Sequence, residues 1–144
     1  MINKSLYIPL YLVVISSLFT ISCCIPESDT FQEDDCFIDS GTASWYGEYF
    51  HGKLTASGER YDTETLTAAH KTLPFNTIVR VVNVENEKSV EVRINNRGPF
   101  TGDRIIDLSR KAAQKINIID DGLAEVELYL VKEGERPIQD LECE

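Results

Sequence analysis

The chain has 144 residues, enough for one domain with its own apolar core. Its formal net charge is −10, and no cluster of lysine and arginine exceeds two neighbours. A nucleic-acid partner is therefore not expected, because neutralising phosphates requires a basic face. The acidic balance does not argue against a neutral polysaccharide as substrate.

The first 22 residues have the pattern of an export signal. Lys4 precedes a largely apolar run over residues 6–21, which ends in small or apolar residues before Cys23. This pattern resembles a bacterial lipobox, so we expect residues 1–22 to be a lipoprotein signal peptide and Cys23 to carry the lipid. An ordinary secretory signal or a short membrane anchor is the alternative, and Cys24 is a rival lipidation site. Neither Cys24 nor Ile25 is the Asp associated with inner-membrane retention, which favours the outer membrane of the cell envelope.

The other two cysteines flank the region that is expected to fold. Cys36 precedes it and Cys143 follows it, so they form a disulfide if the two ends of the domain meet; two free thiols are the alternative. No metal or other cofactor is expected, because four cysteines without CxxC spacing and two distant histidines make a poor ligand set.

The first half of the chain predicts a tether, a short strand and a long loop. Residues 23–40 are polar and acidic, which is typical of a tether, and the domain is expected to begin at Gly41. Residues 42–46 form a strand candidate that ends in two aromatics. Residues 47–61 hold three glycines and many polar groups, which favours an ordered functional loop. Residues 66–70 are a short strand or turn with His70 at its end.

The second half predicts a hairpin, a helix and a last strand. Residues 77–84 are rich in β-branched side chains, and residues 89–95 alternate apolar and polar ones. A polar turn over residues 95–99 follows, then the apolar run 104–108, in which Asp107 must be paired or shifted in pKa. Ser109 is a suitable N-cap for a helix over 110–116, and residues 123–131 alternate again. This order predicts a small closed β-barrel over residues 41–133 and a tail over 134–144.

Three segments closely resemble the rare lipoprotein A (RlpA) family. They are residues 41–62 (GTASWYGEYFHGKLTASGERYD), 66–81 (LTAAHKTLPFNTIVRV) and 92–113 (VRINNRGPFTGDRIIDLSRKAA). The resemblance implies a mainly β fold, a six-stranded double-psi β-barrel of the barwin and expansin type with one or two short helices. It also implies a lipoprotein that acts on peptidoglycan glycan strands as a lytic transglycosylase. Many members carry a C-terminal SPOR-type domain that binds denuded strands, and we expect none in this chain because too few residues follow the barrel.

The resemblance also assigns site residues. Glu59 in TASGE and His70 in TAAH match positions that the family uses in its active site. Asn96 occupies the place of the Asp in the family's N-D-R-G-P motif, and an amide has no proton to give. Asp107 is the replacement carboxyl that we expect, since IDLS resembles the segment that carries the catalytic acid in related endoglucanase-type barrels. The predicted catalytic residues are therefore Glu59, His70 and Asp107.

Sugar binding is expected from side chains next to these groups. Tyr46 and Tyr49 supply flat aromatic faces, and Asn96 and Arg97 supply hydrogen bonds. Each has an ordinary alternative: the tyrosines as core, Asn96 and Arg97 as turn-shaping residues. Among the catalytic candidates, Glu59 is alternatively an exposed carboxylate, His70 a strand-end hydrogen-bonding group and Asp107 a partner of the following helix or of Arg104 or Arg97.

Two rival functions remain open from the sequence. In the first rival, Asn96 marks the loss of turnover and the protein is a wall-binding module that does not cut. In the second, weaker one, the domain is a secreted protein-interaction module. The lead prediction is a lytic transglycosylase that cleaves the MurNAc–GlcNAc bond and leaves a 1,6-anhydro ring.

Overall fold

The computed structural model describes residues 36–136 and Ile138. Within this part of the chain, six β-strands form one closed barrel with one α-helix and one short 3-10 helix. The strands are β1 (Cys36–Trp45), β2 (Thr67–His70), β3 (Ile78–Asn83), β4 (Ser89–Asn96), β5 (Ile106–Leu108) and β6 (Leu123–Lys132); the helices are the 3-10 helix Glu48–Phe50 and α1 (Arg110–Lys115). The prediction of a six-stranded barrel with short helices is confirmed.

The strands follow the order β1-β5-β2-β4-β3-β6 around the barrel. Two neighbouring pairs, β1 with β5 and β2 with β4, are parallel, and the other four are antiparallel. Closure leaves no strand edge open, which removes the usual route to edge-to-edge association. It also brings β1, β5, β2 and β4 side by side, although their residues are far apart in sequence.

Alternating apolar residues of the strands fill the barrel. In β4, Val90, Val92 and Ile94 are at most 7% exposed, and they face Val79 and Val81 of β3. At about 25 cal/mol per Å² of buried apolar area, each such side chain contributes about 1.5–3 kcal/mol over leaving it exposed. The alternation of apolar and polar residues in the sequence is thus the pattern that builds the core.

Helix α1 closes one side of the core. Ser109 is its N-cap, as predicted, and its Oγ accepts a hydrogen bond from the Ala112 amide at 3.2 Å. Ala112, Ala113 and Ile116 are fully buried. No helix in residues 36–136 has the length and apolar character needed to cross a membrane.

Strand β1 begins six residues before the predicted strand, which starts at Thr42. The expected start of the domain was Gly41, but Cys36 already pairs with Leu130 of β6, and the Phe37 ring meets the Tyr129 ring edge-on at 5.7 Å. The tether prediction is therefore wrong for residues 36–40. Their polar and acidic composition does not indicate a strand, but β6 supplies backbone hydrogen-bond partners for them. Cys36 is disulfide-bonded. Its predicted partner Cys143, the remaining tether residues, the lipidation site Cys23 and the signal peptide lie outside the described residues.

The segment after β6 packs back on the barrel. Gly134 lies against the backbone of residues 75–77, and the Glu135 amide donates to the Phe75 carbonyl at 3.0 Å. The Asn76 side-chain amide donates to Glu135 Oε1 at 3.0 Å. The sequence predicts a tail from residue 134 onward, whereas in the structure Gly134 and Glu135 pack on the barrel.

Candidate active site

A row of four residues crosses four adjacent strands. Ser44 of β1 pairs with Asp107 of β5, Asp107 pairs with Ala69 of β2, and Ala69 pairs with Asn96 of β4. A register irregularity after Ala68 brings Asn96 into the row. The neighbouring residues on β1 and β5, such as Ala43 and Ile106, belong to the apolar core, so the row lies on the opposite face of those strands. The barrel thus gathers two of the predicted site residues on one surface.

Asp107 is held by one of its two carboxylate oxygens. Oδ1 accepts a short hydrogen bond from the Ser44 hydroxyl and lies 3.3 Å from Arg104 Nη1. The Arg104 guanidinium also donates to Ser44 Oγ and, at 2.7 Å, to Thr101 Oγ1. Oδ2 has no hydrogen-bond partner within the described chain. The carboxyl group is therefore fixed in direction while one oxygen stays open for proton transfer.

Asn96 links the loop before β2 to the aromatic residues after β1. Its Oδ1 accepts hydrogen bonds from the amides of Ala56 and Arg97, both at 2.9 Å. Its Nδ2 donates to the Tyr46 hydroxyl oxygen at 3.2 Å. Asn96 thus connects three segments of the chain through hydrogen bonds of its side chain.

Aromatic rings build a pocket beside Asn96. The ring centroid of Tyr46 lies 5.8 Å from that of Phe50 and 5.3 Å from that of Tyr61. We call this the aromatic pocket; it is open to solvent and is lined by Tyr46, Phe50, Lys53, Leu54, Thr55, Tyr61 and Asn96. Burial, with a further contribution from the nearby Asp107 charge, raises the pKa of Tyr46 above its ordinary value. The phenol therefore keeps its proton across the physiological range.

Tyr49 extends the aromatic surface beyond the pocket. It is 79% exposed, its ring meets Phe50 edge-on at 5.5 Å, and the Lys53 ammonium lies 3.4 Å from its ring centre. An exposed ring that is braced in this way offers a flat face to a sugar at little cost in conformational entropy. The placement suits the predicted sugar contact, which stays a prediction.

The Glu59 carboxylate accepts hydrogen bonds from two side chains of β4, next to Asn96 of the row. Arg93 donates to both of its oxygens, at 2.7 and 2.8 Å, and Asn95 Nδ2 donates to Oε2 at 3.1 Å. These hydrogen bonds, that of Arg93 first, hold the pKa of Glu59 below its usual value. Glu59 is thus a carboxylate in this arrangement, suited to accepting hydrogen bonds and to supplying a negative charge rather than to donating a proton.

His70 ends β2, where it pairs with Ile106 of β5 rather than with Asp107. Its Nδ1 accepts hydrogen bonds from the amides of Thr72 and Leu73, at 3.2 and 3.1 Å, so the proton of the neutral ring is on Nε2. Burial lowers the pKa of His70 to about 4. The ring makes no hydrogen bond to Glu59, Asn96 or Asp107, all of which the structure describes. Its catalytic role stays a prediction.

Arg97 is occupied by the turn after β2. Its Nη1 donates to the carbonyl of Leu73 at 2.9 Å and to that of His70 at 3.4 Å, and the guanidinium stacks 3.9 Å from the Phe75 ring centre. These contacts match the turn-shaping alternative that the sequence left open.

Sequence reasoning did not single out Ser44 or Arg93. Ser44 is 63 residues from its partner Asp107, and Arg93 is 34 residues from Glu59, so only the fold brings each pair together. Arg93 did carry a signal, because it alternates with the apolar residues of β4 and had to lie on the polar face. Arg104 was weighed as a partner of Asp107, and the structure places it there.

The side chains gathered here offer proton transfer and hydrogen bonding. Two carboxylates, a phenol, an amide and a neutral imidazole lie on or beside four neighbouring strands. In residues 36–136, no three histidine, cysteine, aspartate or glutamate side chains are placed to hold one metal ion.

Solved structures with a similar fold include an expansin and a papain inhibitor. The Clavibacter michiganensis expansin aligns with 68% of this chain and 52% of its own, at a TM-score of 0.52 and 14% identity. The Streptomyces papain inhibitor aligns with 67% of this chain and 97% of its own, at a TM-score of 0.52 and 20% identity. At these identities the likeness shows the fold alone.

Relatives by sequence are proteins named endolytic peptidoglycan transglycosylase RlpA. That of Neisseria meningitidis serogroup A is 54% identical over 99 residues, which cover 69% of this chain and 41% of the relative. That of Campylobacter jejuni is 55% identical over 94 residues, covering 65% and 34%, and that of Pseudomonas aeruginosa is 56% identical over 99 residues, covering 69% and 28%. The chain spans less than half the length of these relatives.

The matched region coincides with the barrel. The family described as lytic transglycolase matches residues 38–128, which run from β1 into β6 and include Glu59, His70, Asn96 and Asp107. The chain therefore belongs to the lytic transglycolase family, with the RlpA proteins among its relatives.

Proposed function

We propose that this protein is an endolytic peptidoglycan transglycosylase that cleaves MurNAc–GlcNAc bonds and forms 1,6-anhydro-MurNAc. Its family and the names of relatives at 54–56% identity support this activity. The observation that carries the proposal is the row across β1, β5, β2 and β4, in which a buried aspartate with one open oxygen lies beside an aromatic pocket.

The reaction needs a proton donor and then a proton acceptor. The leaving glycosidic oxygen must gain a proton, and the C6 hydroxyl of MurNAc must lose one as it closes the anhydro ring; no water is consumed. One carboxyl can serve both steps if it enters the reaction protonated, gives that proton to the leaving oxygen and then, as a carboxylate, takes the proton of the C6 hydroxyl. Asp107 suits this role because Ser44 and Arg104 fix Oδ1, while Oδ2 has no hydrogen-bond partner in residues 36–136.

Glu59 and His70 complete the proposed site in supporting roles. Arg93 and Asn95 keep Glu59 ionised, so its charge stabilises the positive character that develops on the sugar ring during bond cleavage. His70 offers the Nε2 proton as a neutral hydrogen-bond donor, and Asn96 holds the loop that covers the pocket. In this assignment Asp107 transfers the protons, Glu59 stabilises the charge on the sugar ring and His70 orients the sugar.

The aromatic pocket is the proposed binding place for a sugar ring. Tyr46, Phe50 and Tyr61 give it apolar walls, and Thr55 and Asn96 give it polar groups. A few polar groups on an apolar floor are the usual composition of a carbohydrate or small-molecule site. Tyr49, exposed next to it, continues the surface for a neighbouring sugar.

The test is product formation from peptide-free glycan strands. Purified protein is incubated with the strands, and products are identified by mass spectrometry. We expect 1,6-anhydro ends from the wild type and at least a 100-fold lower rate from Asp107→Asn, which keeps an acceptor for Ser44 but cannot transfer the proton. Asp103→Asn is the matched control, because Asp103 is exposed on the same segment and is expected to leave the rate unchanged. Hydrolysed rather than anhydro ends would contradict the proposal.

A glycan-binding protein without turnover is the second candidate. It is favoured by Asn96, which stands where the family pattern has an aspartate and which has no proton to transfer. The same incubation separates the two: retained co-sedimentation with glycan strands and no anhydro product would identify the binder. Product formation by the wild type would exclude it.

We further propose export and lipid anchoring through Cys23 to the cell envelope, with the outer membrane favoured. The apolar run over residues 6–21 and the small residues before Cys23 support this. Expression in a Gram-negative host with radiolabelled palmitate tests it. Label in the wild type and none in Cys23→Ala is the expected result, and label retained by Cys23→Ala but lost by Cys24→Ala would move the site by one residue.

A further inference from the structure

The orientation of the Asn96 side chain is fixed by its backbone partners. The amides of Ala56 and Arg97 both point at one terminal atom of Asn96, each at 2.9 Å, and an amide N–H can donate only to oxygen there. That atom is therefore Oδ1. The other terminal atom, which lies 3.2 Å from the Tyr46 hydroxyl oxygen, must be the NH₂ group. A flipped assignment would set two backbone donors against a third donor.

This orientation decides what the Tyr46 hydroxyl does with its proton. Since Asn96 Nδ2 donates to Tyr46 Oη, the phenol acts as acceptor in that contact, and its own O–H is directed elsewhere. Within residues 36–136 no acceptor lies within hydrogen-bonding distance of it. The Tyr46 ring and Asn96 both line the aromatic pocket, so the unused donor stands at the pocket wall.

We propose that the Tyr46 hydroxyl donates a hydrogen bond to an acceptor oxygen of the bound glycan, and that Asn96 sets this polarity by occupying Tyr46 Oη as a donor. The inference rests on the proposed function, because it names the residue pair that recognises the sugar in the same pocket. A raised pKa, caused by burial and by the Asp107 charge, keeps the hydroxyl protonated for this purpose.

An aspartate at position 96 would reverse the polarity. One carboxylate oxygen would still accept from Ala56 and Arg97, so the loop would keep its anchor. The other oxygen would accept from Tyr46 instead of donating to it, and the phenol proton would turn from the pocket to the protein. Asn96 is thus a positioning residue that makes Tyr46 a donor to the substrate.

Binding of peptide-free peptidoglycan strands tests the inference. Affinity is measured in the Asp107→Asn background, so that strands are not cut and a new charge at position 96 has no aspartate at 107 to repel. Tyr46→Phe and Asn96→Asp are each expected to weaken binding about fivefold, the worth of one neutral hydrogen bond. In a protein that already carries Tyr46→Phe, Asn96→Asp is expected to change the affinity less than twofold. Tyr129→Phe removes a hydroxyl on β6 that donates to Glu127 at 2.7 Å and does not line the aromatic pocket; it is the matched control and should stay within twofold.

Several outcomes would overturn the inference. Asn96→Asp binding as tightly as its parent, or losing the same factor with and without the Tyr46 hydroxyl, would show that the amide does not act through Tyr46. Unchanged affinity in Tyr46→Phe would do so even if Asn96→Asp fails to fold. An Asp107→Asn parent that binds no glycan strands at all would refute the proposed function itself. A parent that binds them, together with a Tyr46→Phe variant of unchanged affinity, would refute only this inference.

Discussion

Arg93 and Glu59 form a two-point ion pair between β4 and the loop that precedes β2. Nη1 lies 2.7 Å from Oε1 and Nη2 lies 2.8 Å from Oε2, so the planar fork of the guanidinium matches the carboxylate. Nη1 also donates to Asn76 Oδ1 at 2.9 Å, and Asn76 in turn donates to Glu135. The predicted catalytic loop is thereby tied to the strand and to the segment after β6.

Removing the arginine should loosen this tie and weaken the fold slightly. Arg93→Gln is expected to lower the free energy of unfolding by about 0.5–1 kcal/mol at pH 7, because both side chains are partly exposed and the pair is screened by solvent. A double-mutant cycle with Glu59→Gln measures the coupling by urea unfolding. Arg60→Gln serves as control: it removes a positive charge from the loop that carries Glu59, but Arg60 donates to the Gly52 carbonyl and not to Glu59.

The sign of the pH dependence follows from Glu59. Its pKa is lower in the folded state, so the ion pair stabilises the fold above the ordinary pKa of about 4.5, and that contribution is lost as the pH falls through the folded value. The stability difference between wild type and Arg93→Gln should therefore shrink below pH 4.5. A difference that stays constant down to pH 3 would show that Glu59 is not the partner that matters.

His70 should make the fold sensitive to mild acid. Burial holds its folded pKa at about 4, against about 6.5 when unfolded, so the unfolded chain binds more protons between these values. Stability is expected to be intact above pH 6.5 and to fall as the pH drops from 6.5 to 4, by about 3 kcal/mol in total. Urea unfolding at half-unit pH steps measures this slope.

His70→Asn is expected to flatten that slope while keeping an oxygen that can accept from Thr72 and Leu73. The chain has one other histidine, His51, which is exposed, so His51→Asn is the matched control and should retain the wild-type slope. In proton NMR of the wild type, one histidine should remain neutral at pH 5. A His70 ring that titrates near 6.5 would contradict its buried, neutral state.

Strands with one buried face could be predicted from the sequence, and pairings over long range could not. The alternation of Val90, Val92 and Ile94 with polar residues marked β4, and Ser109 marked the start of α1, because these signals are local. The first half of β1 was missed, since Asp39 and Ser40 are acidic or polar and exposed and become strand only by pairing with β6.

In the candidate site, too, single residues could be predicted from the sequence, but most contacts between distant residues could not. Asp107 could be singled out because a carboxylate inside an apolar run must have a partner, and resemblance marked Glu59 and His70. The sequence offers Arg104 as one partner, but Ser44 could not be foreseen, since it reaches Asp107 only through the parallel pairing of β1 with β5. For Asn96, sequence showed a missing carboxylate, whereas the structure shows an amide that uses both of its ends.

Arg104 is expected to hold Asp107 in place. Arg104→Gln should destabilise the fold by about 2 kcal/mol, because it leaves a carboxylate that is 11% exposed with Ser44 as its remaining partner. In an Asp107→Asn background the same change should have a much smaller effect, since no charge is then left unpaired. Equal losses of stability in both backgrounds, measured by urea unfolding, would place the role of Arg104 in its contacts with Thr101 instead.

Gly134 tests whether the segment after β6 belongs to the barrel. A Cβ on this residue would lie 2.2 Å from the Phe75 carbonyl oxygen and 2.5 Å from the Thr77 amide nitrogen, so the backbone of one segment must move. Gly134→Ala is expected to lower the free energy of unfolding by about 1–3 kcal/mol, the usual range for forcing atoms into a packed site. Gly47→Ala is the matched control, because a Cβ there meets no atom within 4 Å and its φ of −66° suits any residue. If both variants unfold at the same urea concentration as the wild type, residues 134 and 135 do not pack on the barrel in solution.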